Sequence, residues 1–108
     1  MARIPFTKIS TALLGKDYDL SVAFLSPAQM RRAMKYKKES PKKVSNVLAF
    51  PLSKTSGEIL ICREAAPPFT VAYLFIHGCA HLKGYRHGAT MERIESRLLK
   101  KYGFRMHE

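Results

Sequence analysis

Three of the chain's four histidines fall within the eleven residues His77-Gly78-Cys79-Ala80-His81-Leu82-Lys83-Gly84-Tyr85-Arg86-His87. No other part of the 108 residues constrains the fold as tightly. On an α-helix, His77 and His81 are four apart and share one face, so both imidazoles can bind one ion. Gly84 then stops the helix and takes a left-handed turn without strain, which lets the chain reverse and bring His87 back as a third ligand. Three imidazoles leave a fourth tetrahedral position open to water. That is the arrangement of a catalytic zinc, whereas a structural site is closed by a fourth protein ligand. Nickel or another first-row divalent ion could use the same donors. The alternative is three unrelated core or surface histidines, a reading that suits a lone His better than the complete H-x3-H-x2-G-x2-H pattern.

Helix geometry adds a check on this run. At ~100° per residue, Val71, Phe75, Cys79 and Leu82 gather opposite the histidines. The helix is therefore expected to pack on its far side and to face a cleft on its near side. Cys79 lies about 160–200° from both histidines, which makes it a core thiol and not a ligand. His107 has no spacing partner and is read as a surface residue.

The same spacing occurs in metzincin-type zinc proteases, where the residue after the first His is the Glu that acts as general base. Here that position is Gly78, which has no side chain. A protease would need its base from elsewhere, and Glu58 is the one candidate. A bound metal can still lower the pKa of water towards neutrality. The glycine is expected to let a bulky substrate approach closely.

Charge narrows the substrate. The chain carries 19 Lys plus Arg against 8 Asp plus Glu, a net charge of +11. Such an excess points to a polyanion, most simply nucleic acid. It is also uneven. Arg31, Arg32, Lys35, Lys37, Lys38, Lys42 and Lys43 form one cluster, and a second runs from Lys83 through Arg86 to Arg105. Two solvated helix faces are the plain alternative. An open metal site bordered by positive charge suits a phosphodiester better than a peptide. Both clusters are expected to border the cleft, as an RNA track leading to the metal.

Length and pattern set the class. One domain, residues 1–108, is expected, and a chain this long buries roughly two-thirds of its unfolded surface. Its longest apolar run, Val71 to Ile76, falls well short of the ~18–20 residues of a membrane span. The first residues lack the apolar core of a signal peptide. Cys62 and Cys79 form no C-x-x-C pair, so a reducing cytoplasm and no membrane partner are expected.

Periodicity gives an amphipathic helix over 4–14 ended by Gly15, a strand over 20–25, and a helix from Ser26-Pro27 to about Lys38, broken at Ser40-Pro41. Strands over 46–52 and 57–63 follow, joined as a hairpin, with Pro51 confining the first to an edge or to its own end. Pro67-Pro68 is expected to open a helix from Phe69 to Lys83, and Thr90 to cap a last helix reaching Tyr102 before Gly103. The order α-β-α-β-β-α-α reads as an α+β domain with a small mixed sheet of about three or four strands packed with helices.

Four segments together resemble the YbeY family of metal-dependent endoribonucleases and ribosomal RNA maturation factors. The family signature H-G-x-L-H-L-x-G-Y-D-H is similar to His77–His87, with Ala80 for Leu and Arg86 for Asp. T-D/N-V-L-S-F-P resembles Ser45-Asn46-Val47-Leu48-Ala49-Phe50-Pro51, and G-D-I resembles Gly57-Glu58-Ile59. The closing helix M-E-x-x-E-x-x-I-L-x-x-L-G resembles Met91 to Gly103. These segments occur in family order over residues 45–103, in a chain shorter than most of the family.

The resemblance implies an α+β fold with zinc held by His77, His81 and His87. It implies single-strand-specific hydrolysis of RNA, maturation of the small-subunit ribosomal RNA 3′ end, and ribosome quality control in bacteria. Lys37 stands where the family usually has Arg, which keeps the charge without the planar fork. The expected RNA contacts are Arg31, Arg32, Lys35, Lys37, Lys38, Lys42, Lys43 and Lys83. Lys37 and Arg86 are the candidates for supporting the reaction itself. The expected partners are single-stranded ribosomal RNA and the ribosome or its small subunit, bound by a monomer. A non-catalytic RNA- or ribosome-binding factor with a structural metal is the alternative, and a small metalloprotease the weaker one.

Overall fold

A computed structural model describes residues 3–36 and 44–108, with the backbone alone for Tyr36. Four of the expected RNA contacts, Lys37, Lys38, Lys42 and Lys43, lie outside the described residues, as does the Ser40-Pro41 break. The described elements follow the expected order: α1 (Phe6–Leu14), β1 (Asp19–Phe24), α2 (Pro27–Tyr36), β2 (Val47–Ser53), β3 (Ser56–Ile61), α3 (Val71–Lys83) and α4 (Ala89–Tyr102). Local rules set several boundaries. At the start of α2, Gln29 N–H donates to Ser26 Oγ while Ser26 N–H donates to Gln29 Oε1, a capping box ahead of Pro27. Gly84 ends α3 in a left-handed conformation at φ 108°, its N–H donating to the His81 carbonyl and that of Tyr85 to the Ala80 carbonyl.

Two boundaries differ from expectation. The prolines do not open α3; Thr70 does, its Oγ1 accepting from Tyr73 N–H. The Pro67-Pro68 pair precedes it as a turn that the C-terminal residues close over. Thr70 N–H donates to the Met106 carbonyl, and Glu108 N–H donates to that of Pro68. Thr90 likewise does not cap α4, which begins at Ala89 after Gly88, with no side-chain cap.

The strands form one mixed sheet in the order β1-β3-β2. β1 runs parallel to β3, and β2 pairs antiparallel with β3 as the expected hairpin. Pro51 sits in β2, an edge strand, where its missing N–H removes no interior ladder bond. Side-chain alternation along β3 separates two apolar layers. Ile59 and Ile61 face α1, α3 and α4, in a core with Ile9, Phe75 and Leu98. Leu60 faces the other way, against Met30 and Met34 of α2.

Helix α3 is packed on more than one side. Beyond Phe75 and Cys79, it buries Ala72, Tyr73, Leu74, Ile76 and Ala80, because it lies between α1, α4 and the sheet. A helix apolar around most of its circumference is a central one. That rigidity matters for the histidines at its C-terminal end.

Candidate metal centre

His77 and His81 project from adjacent turns of α3, and the Gly84 turn returns His87 beside them. The ring centroids are 4.5 Å apart for His77 and His81, 5.0 Å for His77 and His87, and 4.8 Å for His81 and His87. One nitrogen from each ring lies within 4.8 Å of the other two. The three predicted ligands are thus brought together.

Two of the rings are oriented from behind. His81 Nδ1 lies 3.2 Å from the Tyr85 carbonyl, which can only accept, so Nδ1 carries the proton and Nε2 presents a lone pair. The residue that completes the helix stop therefore also fixes the tautomer of His81. His77 Nδ1 lies 2.5 Å from Glu95 Oε2, and donation to that carboxylate leaves its Nε2 as a second lone pair. The two Nε2 atoms face each other at 3.1 Å. Two converging lone pairs repel unless a cation or a shared proton lies between them. Zinc–nitrogen bonds of 2.0–2.1 Å in a tetrahedron put nitrogens about 3.3 Å apart, so this pair fits a first-row divalent ion. Burial, and then the neighbouring His77, lower the pKa of His81, which keeps it in the neutral form that ligates.

Glu95 is the residue that motif reading passed over. It is 5% exposed, a carboxyl group on the buried stripe Met91, Glu95, Leu98 and Leu99 of α4. An acid on an apolar helical stripe needs a partner, and that signal was available in the sequence.

The histidines lie in a cleft of about 560 Å³ whose other wall is the Ser45–Pro51 segment, including Asn46, Val47 and Ala49. Gly78 also lines it, and the missing side chain has a packing role that the spacing did not suggest. A Cβ there would lie 3.1 Å from Cδ1 and Cγ2 of Ile59, so the missing side chain lets α3 lie against β3. Cys79 is fully buried, its thiol pushed up to about 12 by burial, as a core thiol should be. Glu58, the candidate protease base, is on the wrong face of β3. It lines a groove with Leu60, Arg32 and Leu52 on the α2 side of the sheet and does not reach the histidines.

Among the described residues, none of Arg31, Arg32, Lys35, Lys83 and Arg86 lines the cleft. All five are exposed, with Lys83 and Arg86 next to the histidine turn in the chain. His107 is exposed as expected, although its ring packs 5.0 Å from that of Phe69. No described helix is long and apolar enough to cross a membrane.

A family model described as endoribonuclease YbeY matches residues 6–103. The chain is similar to the endoribonuclease YbeY of Blochmanniella pennsylvanica, 29% identical over 114 residues that cover 83% of this chain and 71% of that protein. It is 35% identical over 79 residues to that of Polynucleobacter asymbioticus, covering 56% of this chain and 51% of the relative. It is 27% identical over 110 residues to that of Colwellia psychrerythraea, covering 82% and 70%. No solved structure matches the chain.

Proposed function

The chain belongs to the endoribonuclease YbeY family, and on that footing we propose that it is a zinc-dependent endoribonuclease that cuts single-stranded RNA. Its substrate in this reading is ribosomal RNA, in maturation of the small-subunit 3′ end and in ribosome quality control, and it acts as a cytoplasmic monomer. One observation carries the reading. The lone pairs of His77 and His81 converge beside His87 in an open cleft, with the outer nitrogens of both rings already held by Glu95 and Tyr85.

A divalent ion bound there supplies a water-derived nucleophile at neutral pH and positive charge at the scissile phosphate. The chain's own residues do the rest. Glu95 and the Tyr85 carbonyl keep the two imidazoles in the ligating tautomer through turnover. Asn46 and Ser45 line the cleft with hydrogen-bonding groups that can position a phosphodiester, while Val47 and Leu82 restrict water. Arg86, next to His87 in the chain, would offset charge that develops on the phosphate. Lys83, Arg31, Arg32, Lys35 and the cations over 37–43 would steer the polyanion towards the cleft.

The test is cleavage by protein freed of contaminating nuclease. Zinc-loaded protein should cut single-stranded RNA and spare a duplex of the same sequence, lose cleavage to a chelator and regain it with zinc. RNA binding that survives chelation without any cleavage would replace this reading with that of a non-catalytic RNA-binding factor.

A further inference from the structure

The histidines have a second open side. Away from β2, a separate cavity of about 310 Å³ lies between α3 and α4, and His77 and His87 line both it and the cleft. A chain whose phosphate sits at the three histidines would run into the cleft in one direction and into this cavity in the other. Its walls are apolar or aromatic at Tyr73, Met91, Leu99 and Met106. Tyr73 is held in place by a stacked Phe69 ring at 5.3 Å, and its own ring lies 5.6 Å from that of His77. Its hydroxyl makes no hydrogen bond with a described residue and is not sealed in the core. Met106 is fixed by the backbone bond from Thr70.

Polar groups in the cavity narrow what it can hold. Glu92, Ser96 and the bound Glu95 all line it, and two carboxyl groups repel a phosphate. A flat, uncharged ring that carries hydrogen-bond donors on its edge suits these walls. An exocyclic amino group is such a donor for a carboxylate, whereas a base carbonyl beside one is repelled.

We propose that this cavity is a nucleobase pocket for the nucleotide next to the phosphate held at the histidines, with Tyr73 and Met106 against the base, the buried Met91 behind them and Glu92 at its edge, so that bases with an amino group are preferred to uracil. The proposal rests on the nuclease reading for its place in catalysis, but the binding is measurable without cleavage. Methionine sulfur and aromatic rings both pack well on a base face.

The test follows the methionine methyl resonances of the full chain as each of the four ribonucleosides is added. Nucleosides carry no phosphate, so the basic surface does not hold them. Adenosine, cytidine and guanosine should shift Met91 and Met106, leave Met30 and Met34 of the α2 layer still, and act at several-fold lower concentration than uridine. Glu92→Gln, whose amide offers both a donor and an acceptor, should bring uridine level with the others. Absence of any shift at Met91 and Met106, equal shifts at Met30, Met34, Met91 and Met106, or a uridine response equal to the others in the unsubstituted chain overturns the pocket. Sequencing the ends cut from a randomised single-stranded RNA separates the two readings. Nucleoside binding without RNA cleavage would keep the pocket and sink the nuclease reading. Cleavage with no base preference beside the cut and no methyl shift would keep the nuclease and sink the pocket.

Discussion

His77 Nδ1 and Glu95 Oε2 lie 2.5 Å apart across the contact between α3 and α4. The bond joins the two helices where a buried carboxyl group meets a ring whose other nitrogen faces the candidate ion site. It also makes α4, which supplies no histidine to the cluster, part of the candidate metal centre.

Removing that carboxylate should weaken metal binding without moving a ligand. Partners behind metal-bound histidines typically contribute 10–100-fold in affinity. Glu95→Gln keeps a carbonyl acceptor and should lose about tenfold, with Glu95→Ala nearer the hundredfold end. Alanine also leaves the buried Nδ1–H unpaired, at a cost of about 1–3 kcal/mol in stability. Competition with a chromogenic chelator measures the first effect and urea unfolding the second. Unchanged zinc affinity in both variants would separate Glu95 from the centre.

Gly78 tests whether packing or substrate access explains a glycine between two ligands. Because its Cβ would meet Ile59 at 3.1 Å, Gly78→Ala should fail to show the gain of about 1 kcal/mol that alanine ordinarily brings over glycine inside a helix, the crowding offsetting it. Ile59→Val in the same chain should recover part of that gain, since it removes one of the crowding atoms. A Gly78→Ala protein that shows the full gain but binds RNA poorly would favour the substrate explanation instead.

The metal-free protein should lose stability on mild acidification. Burial, followed by the neighbouring His77, hold the folded pKa of His81 below its ordinary value of 6.5. Between the two values the unfolded chain binds the proton and the folded chain does not, so stability rises with pH across that window. The loss should begin near pH 6.5 and level off below the folded-state pKa. Urea midpoints of the apo protein across this range, compared with His81→Gln, isolate the contribution. A midpoint whose pH response is the same in both proteins would contradict it.

How much of this was legible in the sequence depended on the range of the interaction. Ser26, Gly15 and Gly84 act within one turn of themselves, so the helix limits they set could be read directly, and with Gly84 came the return of His87. Thr70 caps α3 locally through Tyr73 N–H, a signal that the adjacent Pro67-Pro68 pair hid, whereas the start at Gly88 depends on neighbours across the fold. Thr70 is tied to the C-terminal residues, and Gly88 begins a helix positioned by the α3 contact. The sheet order β1-β3-β2 joins strands far apart in the chain, and no local pattern specifies a parallel β1–β3 pair. Alternation along β3 could have shown that Glu58 and Ile59 face opposite ways, but not which side held the histidines. Arg31, Arg32 and Lys35 are expected from the sequence to border the cleft, but α2 packs on the other face of the sheet and none of the three lines it.

The most direct measurement pairs metal content with RNA cleavage for the unsubstituted protein and for His81→Ala, both purified without a polyhistidine tag. The account predicts one first-row divalent ion per chain and single-stranded RNA cleavage in the first. In the second, the metal should be lost and cleavage should fall to background, with the fold retained. Equal cleavage by the two proteins, or a full complement of metal in His81→Ala, would contradict it.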